Sequence, residues 1–153
     1  MNLAAMLDDA ALFLPDRPAV IEEEKTIAFE QFNSDVNCVA SALVELGLSR
    51  GDHVALCAPN SYAWLVIYYA TIKAGAVAVT FSYLLKRDEL PQIMADCTPK
   101  FLFTCDEKLD DFEQQRKAAY LAKVICDNGD ITFSTLIEKG SRRFETVDCR
   151  RDD

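Results

Sequence analysis

Three short apolar segments, separated by two segments of helical length, constrain the fold of this chain more than any other feature. Residues 54–58, 76–81 and 101–104 are almost wholly apolar, and they alternate with residues 62–74 and 86–96. A strand that is buried on both faces forms a continuous apolar run, and strands that alternate with helices build parallel sheets from βαβ units. The pattern therefore predicts an α/β fold with a parallel sheet of βαβ units flanked by helices.

The first connecting segment has the boundaries of a buried helix. Pro59 ends the preceding strand, and Asn60 or Ser61 offers a side-chain oxygen that can cap the helix. Residues 62–74 are apolar around nearly the whole helical circumference, yet they fall short of the roughly 20 residues that a bilayer span needs. We therefore predict a central core helix, which ends at Gly75 in the left-handed conformation.

The second connecting helix is predicted at residues 86–96, with apolar side chains at helical spacing on one face. Pro91 lies near its first turn, where proline is tolerated. Residues 98–99, Thr-Pro, end the helix before the third strand. The apolar face consists of Leu90, Ile93, Met94 and Cys97.

Before the parallel sheet, the sequence predicts a helix, a β-hairpin and a long amphipathic helix. Residues 19–21 and 26–29 form the hairpin, and Glu-Glu-Glu-Lys at 22–25 forms its acidic tip, which we interpret as a solvated turn and not as a partner site. The long helix spans residues 30–46, ends at Gly47 and packs on the sheet. The first helix has its apolar stripe at Leu3, Met6, Leu7, Ala10, Ala11 and Leu14, and the long helix has its own at Phe32, Val36, Val39, Ala40, Leu43 and Leu46.

The segment after the third strand has weaker signals. We predict an acidic loop, a helix with a Glu113–Lys117 ion pair, a fourth parallel strand, a short helix that Gly140 stops, and a charged, frayed tail. The acidic loop occupies residues 106–111, the helix 112–121, the fourth strand 124–126, the short helix 132–139 and the tail 141–153.

Composition excludes several classes of function. The net charge is −9, and no basic stripe interleaved with aromatic residues occurs, so nucleic acid is not an expected partner. None of the six cysteines is spaced as Cys-x-x-Cys, which argues against a zinc or redox site and favours reduced thiols. With no signal peptide and no transmembrane segment in the sequence, we expect a cytoplasmic protein. His53 is the single histidine and has no recognisable catalytic partners, so we assign no catalytic residue and no metal ligand.

Four ordered motifs resemble the N-terminal part of the adenylate-forming superfamily, which comprises AMP-forming acyl-CoA synthetases and their relatives. They are Gly-Asp-x-Val-Ala at 51–55, Pro-Asn-Ser at 59–61, Lys-Ala-Gly-Ala-Val at 73–77 and Glu-Leu at 89–90. The resemblance covers about 100 residues, from Asn2 to Phe103. Two positions depart from the family pattern: Ala28 replaces the usual Ser or Thr cap of the long helix, and Thr-Phe-Ser at 80–82 replaces the commoner Pro-Leu-Asn.

The resemblance implies that the parent enzyme activates a carboxylic acid with ATP and Mg2+ to an acyl-adenylate, and then transfers the acyl group to coenzyme A. The family's Ser/Thr/Gly-rich phosphate loop, which ends in Pro-Lys-Gly, does not occur in these 153 residues. We therefore expect residues 1–153 to be the N-terminal part of the large domain, without the phosphate loop and the C-terminal domain. We expect this fragment to be inactive, to bind no cofactor strongly, and to self-associate through surface that the rest of the protein would cover.

Three loops follow the carboxyl ends of the predicted strands, at residues 58–61, 81–83 and 104–107, and none contains the glycines of a phosphate cradle. In the family, the loop that matches Phe81, Ser82 and Tyr83 lies near the channel through which coenzyme A approaches. The resemblance implies that these three residues are neighbours of the cofactor. The alternative is that Phe81 packs in the core and Tyr83 covers it.

Two other functions remain open from the sequence. Within the superfamily, the parent could be an adenylation domain that loads a carrier protein, or a luciferase-like oxidase. Outside it, the chain could be a stand-alone, non-catalytic interaction module. The sequence does not name the acyl substrate, because the family builds its acyl pocket mostly from later residues.

Overall fold

The computed structural model describes residues 2–149 of the chain. In these residues a helix, a β-hairpin and a long helix precede a set of alternating strands and helices, as the sequence predicts. In chain order the elements are α1 (Ala5–Phe13), β1 (Pro18–Glu22), β2 (Lys25–Ala28), α2 (Phe29–Glu45), β3 (His53–Cys57), α3 (Tyr62–Lys73), β4 (Val77–Thr80), α4 (Leu90–Cys97), β5 (Phe101–Thr104), α5 (Asp106–Leu109), β6 (Lys123–Ile125) and α6 (Phe133–Lys139).

The four later strands form one parallel sheet in the order β4-β3-β5-β6. This confirms the predicted parallel sheet, including its fourth strand. The chain passes from β3 to β4 on one side and then crosses back to β5 on the other side of β3. In open parallel sheets, ligands bind beyond the carboxyl ends of the strands where the connections diverge in this way. The topology therefore points to the carboxyl edge beside β3.

Strands β3, β5 and β6 are buried on both faces, which explains why they show no alternation of apolar and polar residues, whereas the edge strand β4 is half-exposed. One face packs against α2, α3 and α6, and the other packs against α4 and the segment around Phe112. The first face presents Val54, Leu56, Phe101, Phe103 and Ile125, and the second presents Ala55, Cys57, Leu102 and Val124.

The helix boundaries follow local chemistry where capping residues are present. Ser61 caps α3, since its hydroxyl oxygen accepts a hydrogen bond from the backbone N–H of Trp64 at 3.2 Å. Gly47 and Gly75 follow α2 and α3 with positive φ angles of 100° and 76°, as predicted. Ala28 precedes α2 without a side-chain cap, so packing against the sheet maintains this helix.

Helix α4 is shorter than predicted, because it begins at Leu90 and not at residue 86. The N–H of Lys86 donates to the carboxylate of Glu89 at 2.8 Å, and the N–H of Glu89 donates to the carbonyl of Lys86, which closes a separate turn. Pro91 explains the difference. Its ring is tolerated only in the first turn of a helix, so a helix that contains it cannot extend far back.

The segment between β5 and β6 also differs from the prediction. Residues 106–111 are not a loop, since α5 occupies most of them, and residues 112–121 form only short 3₁₀ turns and irregular backbone in place of a helix. The side chain of Phe112 is fully buried against the second face of the sheet. This contact sets the direction of the chain. The predicted ion pair between Glu113 and Lys117 is present at 3.5 Å, with both side chains exposed.

The tail is held against the fold, contrary to the prediction that it is frayed. The N–H of Ser141 donates to the hydroxyl of Ser41 at 2.6 Å, and the N–H of Val147 donates to the carbonyl of Lys73 at 2.9 Å. These contacts join residues that are about 75 to 100 positions apart, and sequence patterns give no signal for them. The last four residues of the predicted tail lie outside the described residues.

Helix α1 is present, but its apolar residues do not form one buried stripe. Leu7 is buried, whereas Met6, Leu12, Phe13 and Leu14 are exposed. The inner face is partly polar, because Asp8 points to a buried cation. The amphipathic pattern therefore predicted the helix correctly and its buried face incorrectly.

The hairpin is antiparallel, and its tip is shorter than predicted. Glu22 pairs with Lys25, so only residues 23–24 form the turn. Glu22 is not merely solvated, since its carboxylate accepts a hydrogen bond from the N–H of Tyr62 at 2.7 Å. The hairpin is thereby tied to the first turn of α3.

Replacing Glu23 with glycine is expected to stabilise the protein by about 0.5–1 kcal/mol. Glu23 has a φ of 52°, in a two-residue turn that favours glycine at its first central position. Glu24 has no positive φ and supplies the matched control, because its replacement by glycine only adds freedom to the unfolded chain. Chemical unfolding monitored by circular dichroism measures both changes. Equal effects of the two substitutions would contradict the assignment of strain to Glu23.

Candidate functional site

The loops after β3 and β4 meet at the carboxyl edge of the sheet and enclose a groove of about 460 Å³. We call it the carboxyl-edge groove. It contains all three residues that the resemblance implies as cofactor neighbours. Its lining consists of Ala58, Pro59, Asn60, Trp64, Thr80, Phe81, Ser82, Tyr83 and Leu84.

The turn that carries Phe81, Ser82 and Tyr83 is fixed by hydrogen bonds at both ends. The N–H of Phe81 donates to the carbonyl of Leu56 at 3.2 Å, and the hydroxyl oxygen of Ser82 accepts from the N–H of Leu84 at 3.2 Å. Phe81 is half-buried and packs against the core on the second face of the sheet, whereas Tyr83 is 40% exposed. One ring thus anchors the turn and the other remains available to a ligand.

Trp64 forms the opposite wall, and our sequence analysis did not identify it as a site residue. It lies in the first turn of α3, and its ring stacks on Tyr68 with a centroid distance of 5.4 Å and an interplanar angle of 7°. The stacking holds the ring in place. Two features of the sequence could have indicated its role: Trp64 is the only tryptophan in the chain, and it lies one helical turn after the Pro-Asn-Ser motif.

Trp64 and Asn60 also line a second groove of about 450 Å³, between α3 and the hairpin. The third loop lies apart from these two and lines its own groove of about 330 Å³, with Asp106, Glu107 and Asp127. Both oxygens of Asp106 accept hydrogen bonds from Asn128, at 2.9 and 2.6 Å, and thereby join the loops after β5 and β6. The structure therefore brings together two of the three predicted loops.

The electrostatics of this edge do not favour a phosphate. Among the described residues, the linings of the three grooves contain four carboxylates and neither lysine nor arginine. The carboxyl-edge groove has neither acidic nor basic side chains, apart from the phenol of Tyr83. Phosphate recognition depends on cationic side chains or glycine-rich backbone, so this groove suits an uncharged ligand segment. Within residues 2–149, no group of three or more His, Cys, Asp and Glu side chains is arranged to hold a metal ion.

The cysteines near the carboxyl edge are poor nucleophiles. Burial raises the pKa of Cys57 to about 11, and burial together with a hydrogen bond to Asp106 raises the pKa of Cys126 to about 11. Both thiols stay protonated near neutral pH, and the thiolate is the reactive form. Within residues 2–149, none of the six cysteines forms a disulfide bond.

His53 lies away from these grooves, at the amino end of β3. Its Nδ1 atom contacts the carbonyl oxygen of Cys97, which closes the end of α4 onto the sheet. The neighbouring Asp52 accepts a hydrogen bond from the N–H of Ser49 at 2.8 Å and forms an ion pair with Lys100 at 2.8 Å. Burial alone would raise the pKa of Asp52, but these partners hold it below its ordinary value. The Gly-Asp motif therefore fixes the amino edge of the sheet.

In the described part of the chain, no helix combines the length and the apolar character that a membrane span requires. A parallel sheet with its groove at the carboxyl edge, preceded by a hairpin and a long helix, places the protein in the α/β class. The profile of the AMP-binding enzyme family matches residues 7–152. The chain belongs to this family.

The chain is similar to the mitochondrial medium-chain acyl-CoA ligase ACSF2 of Mus musculus, with 36% identity over 90 residues, which are 58% of this chain and 15% of ACSF2. It is 34% identical to the fatty acid–[acyl-carrier-protein] ligase ScoC of Streptomyces coeruleorubidus over 93 residues, and these residues are 61% of this chain and 18% of ScoC. The solved structure of the anthranilate CoA ligase AuaEII with anthranoyl-AMP superposes with a TM-score of 0.93 and 25% identity, covering 100% of this chain and 31% of AuaEII. The chain thus spans less than a fifth of the length of these two curated relatives.

Proposed function

We propose that these 153 residues are the N-terminal part of the large domain of an ATP-dependent, AMP-forming acid–CoA ligase. The family match over residues 7–152 carries the proposal, and similarity to acyl-CoA and anthranilate CoA ligases supports it. The whole enzyme activates a carboxylic acid with ATP and Mg2+ to an acyl-adenylate. It then forms a thioester with coenzyme A.

In this proposal, Phe81, Ser82 and Tyr83 border the path of the acyl acceptor. The uncharged, partly aromatic lining of the carboxyl-edge groove supports this role, because the thiol-bearing arm of coenzyme A is a neutral chain of amide and methylene groups. Asn60 and Trp64 complete the wall opposite that turn. The phosphates of coenzyme A lie outside the groove, where cationic side chains from elsewhere in the protein can reach them.

We propose that the fragment alone does not bind ATP strongly and does not catalyse the reaction. Among residues 2–149, four carboxylates and no cations line the grooves at the carboxyl edge, and this charge repels a triphosphate. The fragment supplies the scaffold and one wall of the acceptor path, and residues beyond position 153 supply the phosphate loop.

Pantetheine is expected to change the fluorescence of Trp64. Half-saturation is expected at about 1 mM, because an open, uncharged groove gives only weak binding. Mg-ATP is expected to cause no saturable change at the same concentrations. Trp64 is the only tryptophan in the chain, so the signal reports on its two grooves alone. Ser82→Leu fills the carboxyl-edge groove and is expected to weaken pantetheine binding about tenfold or more.

Ser49→Leu is the matched control, since it places the same side chain at an exposed position near the opposite edge of the sheet. A larger response to Mg-ATP than to pantetheine would contradict the proposal. Equal affinities of the two leucine variants would contradict the assignment of the groove.

A second candidate function is a ligase that loads a carrier protein in place of coenzyme A. The similarity to the fatty acid–[acyl-carrier-protein] ligase ScoC favours it. Both acceptors end in the same thiol-bearing arm, so the carboxyl-edge groove fits either one. Acyl transfer by a polypeptide extended beyond residue 153, offered coenzyme A or a phosphopantetheinyl carrier protein, separates the two functions.

Two further expectations stay proposals. We propose a cytoplasmic location, which the absence of disulfide bonds among the cysteines of residues 2–149 supports and cell fractionation tests. We also propose that the fragment self-associates, which the exposed apolar side chains of Met6, Leu12 and Phe13 on α1 support. Light scattering over a range of protein concentrations measures this association.

A further inference from the structure

Residues 141–149 cross α2 and α3 as an irregular segment, which we call the strap. Near its start, Asn37 donates a hydrogen bond from Nδ2 to the carbonyl of Arg142 at 3.0 Å. Toward its end, the carbonyl of Val147 accepts from Nδ2 of Asn2 at 2.9 Å. None of its residues is fully buried. Phe144 packs half-buried against the core on the first face of the sheet, and hydrogen bonds hold the residues on either side of it.

A buried cation lies beneath the strap. The side chain of Lys73 has no exposed surface, and its Nζ contacts a carboxylate oxygen of Asp8 and the amide oxygen of Asn33, the latter at 2.9 Å. The other carboxylate oxygen of Asp8 accepts a hydrogen bond from the hydroxyl of Thr146. The backbone carbonyl of Lys73 accepts from the N–H of Val147 at 2.9 Å. Lys73 thus connects to two adjacent residues of the strap.

The Lys-Ala-Gly-Ala-Val motif also fits the strap sterically. A Cβ atom on Gly75 would lie 2.8 Å from Cγ1 of Val147, which is closer than real Cβ contacts. The strap therefore packs directly on the end of α3. A larger residue at this position would displace the side chain of Val147 and would also have to adopt a φ of 76°.

We propose that the strap opens and closes as a separate unit, and that Lys73 is the positioning residue that closes it through Asp8 and Thr146. Segments without fully buried side chains open with less free energy than the core, and no side chain of residues 141–149 is fully buried. A buried ammonium group needs its partners, so Lys73 retains Asp8 in the orientation that receives Thr146. Closure sets the direction in which the chain leaves α6 and passes over α3. The proposal does not depend on the enzymatic function proposed above.

Hydrogen exchange, followed by NMR on the 153-residue chain, tests the proposal at single amides. In Thr146→Val the amide of Val147 is expected to exchange about tenfold faster, as the loss of one hydrogen bond to a charged group implies. The amides of Val54 and Leu102 in the sheet are expected to change less than twofold. Thr146→Ser retains the hydroxyl and is expected to restore the slow exchange.

Thr26→Val is the matched control, because Thr26 is exposed on β2. This substitution is expected to leave the exchange rate of the Val147 amide unchanged. Lys73→Met removes the cation itself. If this variant folds, the amide of Val147 is expected to exchange at least as fast in it as in Thr146→Val. Unchanged exchange of Val147 in Thr146→Val overturns the role of the cluster. Equal acceleration of Val147 and the sheet amides overturns the separate opening of the strap.

Discussion

Gly140→Ala is expected to lower the free energy of unfolding by about 3 kcal/mol or more, or to prevent folding. A Cβ atom at this position would lie 1.8 Å from the carbonyl oxygen of Cys38 and 2.4 Å from its carbonyl carbon. These atoms belong to the backbone of α2, so no side-chain rotation relieves the clash. The φ of Gly140 is −79°, which alanine adopts freely, and the expected loss is therefore steric.

Gly47→Ala separates this steric effect from glycine's backbone freedom. Gly47 has a φ of 100°, and nothing lies within 4 Å of a Cβ built on it. Its replacement is expected to cost about 1–2 kcal/mol, through strain alone. Urea unfolding of both variants gives the comparison. A loss at Gly47 as large as the loss at Gly140 would contradict the close approach of α6 and α2.

Asp8→Asn is expected to cost about 2–3 kcal/mol, because it leaves the buried ammonium of Lys73 without its charged partner. The side chain of Asp8 is 37% exposed, so water offsets part of the loss and the cost falls below that of a fully buried pair. Burial lowers the pKa of Lys73, because transfer of its charged form from water into the protein interior costs free energy. Asp8→Leu combined with Lys73→Met removes both charges and is expected to recover most of the lost stability.

The same pair gives a pH dependence. Burial would raise the pKa of Asp8, but hydrogen bonds from Lys73 and Thr146 outweigh it and hold the pKa below its ordinary value. The stabilisation is therefore fully present above the ordinary aspartate pKa, and it is lost as the pH falls through the lowered one. Unfolding measured from pH 6 to pH 3 is expected to show a steeper loss in the wild type than in Asp8→Asn. Parallel curves, or a double variant no more stable than Asp8→Asn, would contradict this account of the pair.

The parallel sheet was predictable because its signals are local. Apolar runs bounded by Pro59, Ser61 and Gly75 gave the strands and the core helix, and alternation of strand and helix gave the parallel pairing. The errors fall where distant residues decide the backbone. Phe112 turns the chain into the core, and the strap follows Lys73 and Ser41, which lie far away in the sequence.

The candidate site was predictable in part for the same reason. Topology alone places the loops after β3 and β4 at one edge, and it gave Phe81, Ser82 and Tyr83 a shared location. Trp64 was missed because its place in the groove depends on the rotation of α3, which stacking on Tyr68 helps to fix. Gly140 was predicted as a helix stop. The reason for glycine there is a close approach to the backbone of Cys38, which only the packed structure shows.

The role proposed for these residues is to form the scaffold and acceptor wall of an adenylate-forming ligase without binding the phosphates of ATP. Carboxylate-dependent release of pyrophosphate from Mg-ATP tests it most directly, with the 153-residue chain assayed beside a polypeptide extended beyond residue 153. We expect release by the extended polypeptide and none by the 153-residue chain. Release by the 153-residue chain at a comparable rate would contradict it.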